Sequence, residues 1–321
     1  MNTPPPTYSA PDPHRRTAGG GFWLYLPLFA ALELAIAQHG PSLGIGLYVG
    51  LLIGLSLHSS LARQEYAARL ALALTLLPLT RLLTLVLPLL ALPPLLGYLA
   101  VLAGSALACA VVLLQLNLRF SAVGLGLRVP VLHLLMLSSV PGLAALHFAF
   151  AAPVAVVSGE LLARPPAPAA PLALLALGGV LFIGGVLEEV ILRGVVQAVA
   201  LPLMGRRALI FSALAGAVLH VGSSPSSALL LIGLVGWLFA HISYHTGSVL
   251  GVALLRGSTN VLYLLGLPAL LGTPDSPALL VALAPLGMPT ALLVLVLLVL
   301  MSLLLAWVLV LFGYLCARPT S

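Results

Sequence analysis

The 321-residue chain is 61% hydrophobic and only 6% charged, where soluble domains carry roughly a quarter charged residues. A soluble core of this length has no room for so much apolar surface. The chain has no lysine, and its thirteen arginines against seven acids give a formal charge of +6. The arginines sit between apolar runs instead of gathering on one face, which marks them as orientation signals and excludes a nucleic-acid partner. The composition points to an all-α fold, a polytopic transmembrane helical bundle in contact with the lipid bilayer.

In chain order, residues 1–21 are rich in Pro and Gly, carry His14, Arg15 and Arg16, and read as a disordered cytoplasmic tail. No small-residue cleavage pattern follows the first apolar run, so that run is expected to be retained. Runs of about 17 to 25 apolar residues serve as candidate spans. They fall near 22–38, 43–61, 70–91, 95–116, 131–157, 172–201, 208–222, 228–244, 247–267 and 289–315. With the N-terminal tail inside, Arg63, Arg69, Arg119, Arg128, Arg206, Arg207 and Arg318 all fall on the cytoplasmic side, and Arg164 is the exception. About ten spans with both termini cytoplasmic satisfies this pattern. The arginine-only, Ala/Leu-rich composition suggests a bacterial protein of the cytoplasmic membrane. The Pro/Ala-rich stretch 158–171 separates N-terminal transmembrane helices over 22–157 from a C-terminal core over 172–267, and 268–321 reads as a loop and a final helix. Cys109 and Cys316 lie in apolar stretches and suggest neither a disulfide framework nor a zinc site.

In the N-terminal half, Glu33 and Arg81 are the intramembrane charges, expected to pair or to snorkel, while His58, His133 and His147 are assigned to interface packing. The sixth run is different. It reads Gly184-Gly-Val-Leu-Glu188-Glu189-Val-Ile-Leu-Arg193-Gly194. Each such charge costs roughly 2.5 to 3.5 kcal/mol to insert at a helix centre. Glu189 and Arg193 are an i, i+4 pair that neutralise one another. Glu188 projects about 100° away and needs a partner from another helix. At 1.5 Å per residue, His220 lies about 20 Å from the cytoplasmic end of the seventh run. Glu188 lies about 21 Å from the break at Pro202 and Asn260 about 22 Å beyond His245, with Arg256 one turn shallower. A shared depth is what one buried site requires.

The order Glu188-Glu189-x-x-x-Arg193, then His220, then Thr246-Gly247-Ser248 leading to Asn260 resembles the CPBP family. That family contains type II CAAX prenyl endopeptidases and bacterial intramembrane proteases linked to bacteriocin processing or self-immunity. The resemblance covers roughly 172–267, making that stretch a CPBP-like catalytic core. It implies that Glu188 is the catalytic glutamate, with Glu189 and Arg193 in support, and that His220 ends the second motif. The family's usual phenylalanine four residues earlier is Gly216 here, and the histidine of its His-x-x-x-Asn motif falls on Arg256, with Asn260 as the asparagine.

The implied chemistry is hydrolysis of a peptide bond in a membrane-embedded or lipid-anchored substrate, with Glu188 and His220 activating water and Asn260 and Arg256 facing the oxyanion. Arg256 also admits the opposite outcome. Its guanidinium can lock onto Glu188 and leave an inactive membrane scaffold or immunity protein. A third reading, a small transporter, takes the carboxylates as an ion or proton site. His241 and His245 have the spacing of a two-histidine metal face, but no third ligand is evident, so neither metal nor cofactor is expected. Ser223, Ser224, Ser226 and Ser227 read as a turn without an oriented base.

Overall fold

The computed structural model describes residues 20–86, 94–118, 123–124, 137, 139–150, 170–224 and 226–266, and every regular element among them is helical. A short 3-10 turn, Gly20–Leu24, leads into α1 (Tyr25–His39), followed by α2 (Pro41–Leu61). Gly40 joins these two. Its φ of 87° closes α1 through an N–H bond to the Ile36 carbonyl, and Pro41 opens α2 where a missing N–H costs nothing. The third apolar run forms α3 (Glu65–Leu74) and α4 (Leu76–Val86), interrupted at Thr75. Pro78 accounts for the interruption, because its ring removes the N–H that would bond the Leu74 carbonyl and crowds that oxygen. The hydroxyl of Thr75 donates instead to the Leu72 carbonyl at 2.6 Å.

After α5 (Pro94–Gln115) and α6 (Val140–Phe150) comes a long continuous rod. It comprises α7 (Ala170–Glu189), a π-helical stretch Val190–Val196, and α8 (Gln197–Met204). Gly205, with φ of 59°, ends it. Then follow α9 (Arg207–Val218), α10 (Ser226–Thr246) and α11 (Leu250–Val261), the last running into a second π-helical turn, Leu262–Gly266.

Among the described residues six helices are long and apolar enough to cross a membrane: 20–39, 41–61, 65–86, 95–115, 175–204 and 226–246. The protein is thus an integral membrane helical bundle. The expected ten spans are not all recovered as such. The run expected at 131–157 is described as a helix only over 140–150, and the one at 289–315 lies outside the described residues, as does the tail 1–19. The run expected at 208–222 is a 12-residue helix, about 18 Å long against a hydrocarbon core of about 30 Å. It stops at Val218, and the chain turns through His220 to Ser224. His220 therefore sits in a turn just past the helix, because Gly222 and the serines after it favour a turn over helix.

Two features position the site. The first is a core shared by both halves of the chain: Phe29, Leu70 and Leu74 pack in one cluster with Val195, Val196, Ala200 and Phe211, and Trp23 meets Phe211 edge to face. The second is a glycine contact between α7 and α11. A Cβ on Gly257 would lie 2.6 Å from the Phe182 carbonyl oxygen, and one on Gly185 would lie 2.8 Å from Gly257 Cα. Bare backbones meet there, as small residues allow in membrane helix pairs. Gly257→Val is expected to force α7 and α11 apart and lower stability by roughly 1 to 3 kcal/mol. Thermal unfolding in detergent checks this, with Gly54→Ala as control because nothing lies within 4 Å of a Cβ there.

Candidate active site

The glycine contact brings α11 close enough for Arg256 to reach the end of α7. Arg256 Nε donates to Glu188 Oε2 at 3.2 Å and Nη2 to Oε1 at 3.0 Å, a two-point fork on one carboxylate. The arginine side chain is 10% exposed and the glutamate 30%, so the carboxylate keeps an open side. Asn260, one turn beyond Arg256, lies with its amide nitrogen against Gly185, one turn before Glu188.

Glu189 turns away from Glu188, as helical geometry requires. Its carboxylate lies 3.2 Å from Arg193 Nε, and Arg193 Nη1 donates to it at 3.3 Å. The pair is almost completely buried, at 2% and 3% exposure. Arg193 Nη2 also donates to the Gly236 carbonyl of α10 at 3.0 Å. A Cβ on Gly236 would sit 2.7 Å from that nitrogen, so glycine makes room for the guanidinium. One turn further, Gln197 donates to the Ala240 carbonyl at 3.0 Å and accepts from Ser212 at 3.2 Å. These bonds tie the rod to α9 and α10. Arg193 lies in the π-helical stretch that follows Glu189, and Gln197 directly after it; such a widening of the helix is often found beside functional groups.

Glu188 and His220 line one cleft of about 290 Å³, between α4, α5, α7 and the turn after α9. Its walls are largely apolar, with Leu77, Val101, Leu102, Ile191 and Leu219 among them, and Arg81, Ser105 and Ser223 supply polar groups. Arg81 is not free. Its Nε and Nη2 each donate to Glu33 at 2.6 Å, and Tyr48 donates to the same carboxylate at 2.6 Å. The N-terminal charges thus pair, and Arg81 lines the same cleft as Glu188. Gly216 and Glu188 are common to this cleft and to a void of about 10 Å³ enclosed by Glu189, Arg193, Gly236 and Arg256. Such a void holds about one water molecule.

His147, assigned from sequence to packing, belongs to this cluster. It is buried, and its Nε2 lies 3.3 Å from Arg256 Nη1. The sequence holds no signal for this, since the histidine is 109 positions from its partner in a helix marked only by hydropathy. His133 lies outside the described residues. His58 stays in the N-terminal helices, 2.6 Å from the Tyr25 hydroxyl. His241 and His245 sit with ring centroids 4.4 Å apart next to Trp237, and among the described residues no group of three His, Cys, Asp or Glu side chains is placed to hold a metal.

The elements that carry this cluster, apart from His147, are α7 to α11. Residues 170–262 match the family model for type II CAAX prenyl endopeptidases, Rce1-like. The matched segment overlaps the stretch 172–267 in which the three motifs are read, so this part of the chain is similar to a family of membrane proteases. No curated protein and no solved structure matches the chain.

Within the Rce1-like segment the Glu189–Arg193 pair carries a direct stability consequence. Arg193→Met leaves a buried carboxylate without its counter-charge and is expected to destabilise the protein by roughly 3 to 5 kcal/mol. Adding Glu189→Gln to that variant should restore part of the loss, measured as thermal unfolding of the two variants side by side.

Proposed function

We propose that the protein is a glutamate-type intramembrane endopeptidase that hydrolyses a peptide bond in a membrane-embedded or lipid-anchored substrate. The observation that carries this reading is the common cleft: Glu188 and His220, from separate elements, face one apolar-walled space. Glu188 takes a proton from water held between it and His220, and the resulting hydroxide adds to the carbonyl carbon. Asn260 and Arg256 donate to the developing oxyanion. The C–N bond then breaks, and Glu188 returns its proton to the leaving amine. Both carboxylate oxygens are bonded to Arg256 in the resting arrangement, so the fork must open as the carbonyl arrives, which delivers the guanidinium to the oxygen that gains charge. The arginine distribution supports both termini inside, and the arginine-only, Ala/Leu-rich composition supports a bacterial cytoplasmic membrane.

A second reading rests on the same fork. A bidentate guanidinium that never releases Glu188 removes the base, and the chain is then a catalytically silent scaffold or immunity protein of the same fold.

The two part on one assay. Purified protein is incubated with fluorogenic prenylated and transmembrane peptides beside Glu188→Ala, His220→Ala and Arg256→His. The endopeptidase reading expects cleavage by the unaltered protein, reduced by at least about a hundredfold in Glu188→Ala and His220→Ala, the scale of a lost general base. Cleavage that emerges only in Arg256→His establishes the silent scaffold. Cleavage indifferent to Glu188→Ala overturns the mechanism.

A further inference from the structure

The Arg256 guanidinium has three edges, and Glu188 occupies only one. Nη1 points the other way, to His147 Nε2 at 3.3 Å. The second ring nitrogen, Nδ1, lies 2.8 Å from the carbonyl oxygen of Leu143, one turn back in α6. A carbonyl oxygen only accepts and a guanidinium only donates, so the two contacts together assign the ring: Nδ1 carries the hydrogen and Nε2 the lone pair. His147 is therefore a neutral acceptor at this position. Its place is fixed by packing as well. Leu143 and Leu146 of α6 share a cluster with Val252, Ala253 and Leu255 of α11, so the imidazole rides on a helix seated against the one that carries Arg256.

We propose that His147 is a positioning residue for Arg256, anchoring the Nη1 edge of the guanidinium from outside the Rce1-like segment. The inference rests on the hydrolase reading for its kinetic consequence and deepens it. With Nη1 held, the guanidinium lies on Glu188 at rest and stays beside the scissile carbonyl once the carboxylate lets go. Without the acceptor, a buried N–H is left unsatisfied and the planar group loses its third fixed point. The position demands an acceptor, and a donor or a cation there would repel the arginine. A histidine from α6 thus stands beside the site in a chain whose third motif carries arginine where histidine is usual.

The test uses the full chain in detergent or liposomes with His147→Leu, which keeps bulk without an acceptor, and His147→Gln, which keeps an acceptor oxygen. His147→Leu is expected to lower kcat about tenfold, the equivalent of one hydrogen bond to a charged group, with KM within about twofold. His147→Gln should recover part of that loss. In an Arg256→His background, His147→Leu should change kcat little, because the group it positions is gone. An equal fall in both backgrounds, or equal losses in Leu and Gln variants, overturns the inference and leaves His147 as packing. If the unaltered protein cleaves no peptide, whether or not Arg256→His does, the hydrolase reading of the unaltered chain fails by itself. The positioning role is then decided by thermal unfolding. A stability loss from His147→Leu that vanishes when Arg256→Met is also present upholds it, and additive losses overturn it.

Discussion

Carboxylates sunk among membrane helices must each meet an opposite charge, and in this protein the helices are arranged to supply one. Glu33 takes Arg81, Glu189 takes Arg193, and Glu188 takes Arg256. Hydrocarbon offers no water to screen or solvate an unpaired ion, so each pair fixes the separation and rotation of the elements that contribute it. The Glu189 pair is local and stiffens one rod. The other two are long-range, reaching across 48 and 68 positions in sequence, and they determine which helices lie together.

The Glu188 pair depends on something without charge. Gly185 and Gly257 let α7 and α11 touch backbone to backbone, and only at that separation does a single arginine place two nitrogens on one carboxylate. Gly236 does the same for Arg193. Absent side chains thus set the electrostatics of the cluster as much as the ionised ones do. Gly216 belongs with these: it lines both the cleft and the small void beside Glu188, where the family usually carries phenylalanine.

Much of this was legible in the chain itself. The i, i+4 spacing of Glu189 and Arg193 made their pairing a matter of helical geometry, and the same geometry left Glu188 in need of a partner from elsewhere. Arithmetic on helix rise brought His220, Asn260 and Arg256 to a similar depth, but could not say which of them Glu188 would touch. That choice depends on helix separation, set by glycines whose role shows only once two helices are placed together. His220 falls in a turn where the sequence suggests a continuing helix, because hydropathy does not register that a helix stops at Val218. His147 was missed for a related reason: periodicity describes a helix's own face and carries nothing about a neighbour far along the chain. The span count is tested only in part, since the run at 289–315 and part of that at 131–157 lie outside the described residues.

The cleft has two owners. Glu188 and His220 lie within the stretch that carries the family pattern, while Leu77, Arg81, Val101 and Ser105 line the same space from α4 and α5, which that pattern does not reach. The Arg256-bound carboxylate and the apolar wall it faces therefore come from different parts of the chain. A substitution in α4 or α5 would reshape the space beside Glu188 without touching the Arg256 fork.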